Sequence, residues 1–290
     1  MGIDIGQAFR EGASRTAAKN GLVLAAVFAG IALLTIVLFQ SLLVAGFESA
    51  LSAFQSASPA DLGLEQAEYD ETVAEFETAL QEVRSTAPLA LGVSAGLAAG
   101  GLLFVVLASE TVSIIAVRVF AAEDSNAVSS DVITENILLA TLNGFVGAIV
   151  VWGLILLGSL FFLLPGIILA VLFYFLRQEI ALKGKNFVQA MADSWRLTKG
   201  NRLEVFLVGA ALVIISRLEE ASSAAIGILS TTVGTVIAAI IGGLLAAFGA
   251  AVATRAYVQI DEDTETEAQV EQEEPEDPYD AALGPDDLSR

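Results

Sequence analysis

The chain has 290 residues, 55% of them hydrophobic, and a mean hydropathy of +0.71; this exceeds what one soluble core absorbs, so the surplus must face lipid. Thirty-four acidic residues against 14 basic ones give a net charge of -20, which argues against nucleic acid as a partner because phosphate backbones are held by Lys and Arg. The absence of Cys and His removes disulfides, the usual zinc ligand sets, and thiol or imidazole catalysis.

Residues 1–20 read as a cytoplasmic amphipathic segment carrying Arg10, Arg15 and Lys19. A helix needs about 20 apolar residues to cross a hydrocarbon core of roughly 30 Å, and residues 21–46 supply them as span one. Residues 48–86 then turn acidic, with Leu64, Val73, Phe76, Leu80 and Val83 recurring at helical spacing, so an acidic, water-exposed helical loop is expected. Pro88 opens span two, residues 88–110, which continues as a mixed helix to Phe120. Ser130 and Asp131 supply capping residues ahead of a helix near Val132.

From residue 137 to 176 the chain is almost continuously apolar. One helix of that length would reach about 60 Å, so Pro165 and Gly166 are taken as the break between span three, 137–163, and span four, 165–182. Span four is short before Arg177, and a re-entrant hairpin is the alternative to a full crossing. Residues 186–199 carry Phe187, Met191 and Trp195 four apart beside Arg196 and Lys199, the pattern of an interfacial helix touching the lipid surface, ended by Gly200. Spans five and six are read at 203–217 and 224–254, completing a membrane domain over 21–258. The acidic, Pro-containing stretch 259–290 is expected to be a disordered cytoplasmic tail.

The predicted fold is therefore an all-α integral membrane bundle of about six spans with one interfacial amphipathic helix. With both termini inside, twelve of the fourteen basic residues fall on the cytoplasmic side, leaving Arg84 and Arg217 outside, as the positive-inside rule requires. Of the 34 acids, 22 lie in residues 48–82 and 261–287, so the acidity is segregated into polar segments; halophilic adaptation is the expected reason.

Two stripes of small residues, Gly92, Gly96, Gly100 and Gly242, Ala246, Ala250, Thr254, are expected to pack helices within the chain, a homo-oligomer or another membrane protein being the alternative partner. Glu110, Asn143, Arg177, Gln178 and Glu179 are the polar residues inside apolar spans. Near the cytoplasmic ends of their spans, these residues are read first as snorkelling to the headgroups and forming a mutual ion pair; the sharper alternative is that Glu110, Arg177 and Glu179 converge on a cytoplasm-facing polar cavity for a lipid headgroup or an ion. No nucleophile elbow, phosphate loop or metal motif is present, so no catalytic residue, metal site or cofactor is expected and the chain is read as a non-enzyme.

The run Leu163-Leu164-Pro165-Gly166-Ile167-Ile168-Leu169-Ala170-Val171, followed by Ala190 and then Ser194-Trp195-Arg196-Leu197-Thr198-Lys199-Gly200, resembles the membrane domain attached to some glycerophosphodiester phosphodiesterases and related stand-alone membrane proteins, in a form suggestive of halophilic archaea. The resemblance implies six membrane helices with an amphipathic helix before the fifth, and it transfers no catalytic residue. A fainter echo links residues 6–20 with 188–201, each a basic amphipathic segment entering a span. The expected role is membrane organisation or the binding of lipids or partners, with small-molecule or lipid transport as the alternative.

Overall fold

The computed structural model describes residues 2–227 and 230–273. Among the described residues every regular element is a helix. A short amphipathic helix, α1 (Ile5–Ala17), leads into α2 (Lys19–Ser56), whose 38 residues reach about 57 Å, well beyond a hydrocarbon core. The overhang of α2 pairs antiparallel with α4 (Gln66–Thr86) after the single turn α3 (Pro59–Leu62). Phe54 on α2 stacks on Tyr69 and meets Phe76, while Arg84 pairs with Glu48 at 2.6 Å. The expected acidic helical loop is thus a two-helix projection with an aromatic seam.

α5 (Ala95–Ala121) begins seven residues later than expected for span two, because the N–H groups of Leu89 and Leu91 bond to the side chains of Gln40 and Ser41 on α2 instead of entering a helix. Ser94 then caps α5. After the turn α6 (Ser130–Thr134), α7 (Ile137–Phe161) runs to a reversal at Phe162, and α8 (Leu163–Leu172) starts there, not at Pro165. Pro165 sits in the first turn of α8, where its missing N–H costs no helical bond. A three-residue break at Phe173–Phe175 separates α8 from α9 (Leu176–Lys183), and together they have the length and apolarity of a crossing. The surface helix α10 (Phe187–Leu197) follows, with Gly200 at φ +97 just past its end, as expected of a terminating glycine.

α11 (Arg202–Gly227) overruns the expected end of span five by ten residues, since nothing between Leu218 and Ala225 breaks a helix. α12 (Thr231–Glu273) consequently starts at Thr231, where the Ser230 hydroxyl accepts the N–H of Val233. It also continues to Glu273, so the first part of the tail expected to be disordered is helical; residues 274–290 lie outside the described residues. Five segments, 19–56, 95–121, 137–160, 163–183 and 231–264, are long and apolar enough to span a membrane, and α11 packs beside α12 in the same bundle. The belt of exposed apolar side chains, such as Phe104 at 69% and Leu160 at 77%, is the surface that lipid covers.

The buried clusters hold the α1 end of the bundle together. Phe175, Val205, Val208, Val252 and Tyr257 join the break before α9 to α11 and α12 under α1, and Phe28, Phe120, Ala247 and Ala251 join α2, α5 and α12. The backbone N–H of Asp4 reaches the Gln259 side chain at 2.9 Å and Arg255 pairs with Glu11, so α1 and the far part of α12 share one end.

α2 and α12 pack backbone to backbone: a Cβ at Gly243 would collide with the backbone nitrogen of Ala29. The packing stripe on α12 is therefore Ala239, Gly243, Ala247 and Ala251, one residue round from the stripe read in the sequence. A Cβ added at Gly92, Gly96 or Gly100 would meet no atom within 4 Å, so these three glycines make no close helix contact among the described residues.

Candidate functional site: an arginine cavity and a surface helix

The break in span four positions the polar residues. Where α8 stops, Leu172 C=O and Phe175 N–H lose their helical partners in a buried place, at a cost of about 1–3 kcal/mol for each group left unmet. Ser194, fully buried on α10, satisfies both: its hydroxyl donates to Leu172 O at 2.9 Å and accepts from Phe175 N at 3.2 Å. α10 is fixed at its start as well, where Asn143 on α7 accepts the N–H of Phe187 at 3.1 Å and donates to Leu139 O. Asn143 is thus a structural anchor.

Beyond the break, α9 sends Arg177 and Glu179 to different places. Residues two apart on a helix lie about 200° apart around it, so they do not share a face. Arg177 turns to α5 and grips Glu110 with two bonds, Nε to Oε1 at 3.0 Å and Nη2 to Oε2 at 2.9 Å. Glu110 is 7% exposed, and Gly144 on α7 leaves room for it: a Cβ there would overlap Oε1.

Glu179, 2% exposed, turns to α12 and to the loop before α10, accepting from the Tyr257 hydroxyl at 3.0 Å and from Lys185 at 2.6 Å. Lys185 also pairs with Asp193 at 2.8 Å, and Asp193 with Arg196 at 3.1 Å. Burial pulls the Lys185 ammonium down, but its bonds to Asp193 and Glu179 outweigh that and hold it above its ordinary value; Lys185 in turn keeps the Asp193 carboxyl below the usual range. The expected convergence of Glu110, Arg177 and Glu179 is therefore corrected to two separate sites, because α9 points alternate residues to opposite neighbours.

A cavity of about 400 Å³ lies on the Arg177 side, between α5, the span-four break, α11 and α12, and reaches Phe28 of α2. Ser109, Ser113, Tyr174, Arg177 and Gln178 supply its polar wall. Ala246 and Ala250, from the stripe read in the sequence as helix packing, line its other side with Gly249 and Ala253, so their smallness creates space here. The Arg177 side chain is 43% exposed.

The residues read as lipid contacts on α10 also divide. Phe187 and Met191 pack inward on the cluster of Ile114, Val117, Phe173 and Ile180, whereas Trp195, Arg196 and Lys199 are exposed, joined by Val188. The Trp195 ring rests at 6.0 Å from that of Phe173, over the break.

Residues 3–260 match the family described as Domain of unknown function (DUF7847). The chain belongs to that family. The DUF7847 region takes in the cavity, the break, α10 and the Glu179 site, and it ends at Ile260, where the acidic extension of α12 begins. No curated protein and no solved structure matches the chain. Within the DUF7847 region, Ser194, Tyr257, Lys185, Gly144 and the cavity hydroxyls do not stand out in the sequence as site residues. For Ser194 the signal is its place in the S-W-R-L-T run; for the others the partner lies on a distant helix.

Proposed function

We propose that this DUF7847 protein is a non-enzymatic, multi-pass protein of the cell membrane that binds membrane lipid through α10, with both termini cytoplasmic. The observation that carries this reading is the two-sidedness of α10: Ala190 and Ser194 are fully buried against the bundle while Val188, Trp195 and Arg196, with Lys199 in the turn just past its end, are exposed. An outward indole and valine beside two cations match the glycerol level of a leaflet with anionic headgroups above it. Orientation is supported by Arg10, Arg15, Lys19, Arg118, Lys183, Lys185, Arg196, Lys199 and Arg255, which gather at the end that carries α1, with Arg84 at the other.

Arg15 and Arg118 there also have a structural task. Arg15 donates to Phe120 O at the close of α5, and Arg118 donates to Ala181 O near the close of α9, satisfying terminal carbonyls.

The test uses the Trp152→Phe variant, in which Trp195 is the sole indole, reconstituted into phosphatidylglycerol vesicles. Lipids brominated near the glycerol are expected to quench Trp195 strongly, with aqueous iodide quenching it weakly. Free quenching by iodide with none from the brominated lipid would sink the reading.

A further inference from the structure

We propose that the cavity between α5, the span-four break, α11 and α12 binds a phosphodiester oxyanion of an amphiphile through the Arg177 guanidinium. The site is separate from the α10 surface and goes beyond lipid contact there. Arg177 is the charged group of the cavity wall. Glu110 holds it from behind through Nε and one N–H of Nη2, so three of the five N–H donors of a guanidinium are uncommitted among the described residues. A carboxylate placed behind fixes the plane of the guanidinium, as a bidentate pair does, and leaves its far edge to a ligand.

The hydroxyls that share the cavity wall with Arg177 are uncommitted too. Thr35, Ser41 and Thr111 on α2 and α5 donate to the carbonyl four residues earlier, the usual resolution for a hydroxyl in a membrane helix. Ser109, Ser113 and Tyr174 donate to nothing among the described residues and line the cavity instead. Gln178, also in the wall, is 4% exposed and its Oε1 is an acceptor without a partner, which a hydroxyl of the ligand's headgroup, not its oxyanion, would satisfy. The Thr254 hydroxyl, buried elsewhere on α12, also lacks a partner among the described residues, but several uncommitted polar groups come together only in this wall, which marks a place where something else completes the bonding.

Three N–H and three O–H donors outnumber what one carboxylate accepts and suit the several oxygens of a phosphoryl group. Charge selects the ester: Glu110 already neutralises Arg177, so a diester brings one net negative charge into the bundle and a dianionic free phosphate brings two, at a steeper desolvation cost. A volume near 400 Å³ takes a headgroup but leaves acyl chains outside among the helices.

The full-length protein in nonionic detergent is titrated with dihexanoyl-phosphatidylglycerol, inorganic phosphate and dihexanoylglycerol, reading the thermal unfolding midpoint. The phosphatidylglycerol is expected to raise the midpoint saturably. Ala250→Leu, which fills the cavity and leaves the ion pair intact, and the paired change Glu110→Gln with Arg177→Gln are each expected to weaken the response roughly tenfold or more.

A saturable response to inorganic phosphate that both variants lose supports the same oxyanion site and makes the free ion its source. An equal response to the glyceride, no saturable response at all, or an undiminished response in Ala250→Leu overturns the proposal. If the paired variant does not fold, Ala250→Leu alone decides. Trp195 quenching, measured on the same variants, is expected to be unchanged, so failure of the cavity and failure of the α10 reading are told apart.

Discussion

Glu110 and Arg177 are held as a pair because Gly144 gives up its side chain to them. A buried carboxylate separated from its guanidinium is costly, and restoring space by moving α7 would strain the neighbouring contact in which the Thr111 and Thr141 hydroxyls meet at 3.1 Å. Gly144→Ala is accordingly expected to destabilise the protein by about 1–3 kcal/mol, the usual scale for overpacking a tight site. Thermal unfolding in detergent measures it. Gly96→Ala, at a position with open space around it, serves as the comparison and is expected to leave the midpoint unchanged or slightly higher, since alanine favours helix over glycine. Equal loss in both variants would show that glycine at 144 is not there to make room.

At the scale of elements, the broken span and α10 behave as one unit. Ser194→Ala leaves the Leu172 carbonyl and the Phe175 amide without a partner in a buried place, so amide exchange across 172–176 is expected to accelerate by about tenfold or more while α7 is unaffected. Unchanged exchange at those amides would remove Ser194 from this role. The apolar cores of α2 and α5, the bounds of α7 and the surface helix are legible in the sequence, because apolar run length and basic flanks are local properties; the length of α2 is not, since its overhang is held by α4. The start of α5 is not, since its preceding amides are taken by Gln40 and Ser41 of another helix, and neither is the role of Ser194, which acts on a break 19 and 22 residues away. The separation of Arg177 from Glu179 is implicit in their spacing, but depth in the membrane groups them together and only direction around the helix divides them. The echo between the two amphipathic segments has a structural counterpart: Asp4 and Asn186 each cap their helix by accepting the N–H three residues on, and Ala8 and Ala190 are each fully buried.

For the molecule as a whole, the proposed orientation places the paired overhang of α2 and α4 outside and the α5–α6 loop inside. A chain without cysteine makes this simple to check with single labels at exposed positions. Ala60→Cys is expected to react with an impermeant maleimide in intact cells and Glu123→Cys only after lysis, and the opposite pattern would invert the topology. The same arrangement distributes charge in a particular way. Acidity predominates at one pole, on α4, while at the other the far part of α12, a helix of 43 residues extending about 64 Å, meets the basic cluster around α1, and the waist between them is almost uncharged. Two such molecules side by side in a leaflet repel where one α4 faces another, over a Debye length of about 8–10 Å in ordinary salt and much less in brine, so ionic strength sets how closely these projections can crowd while the bare waists below them carry no such barrier.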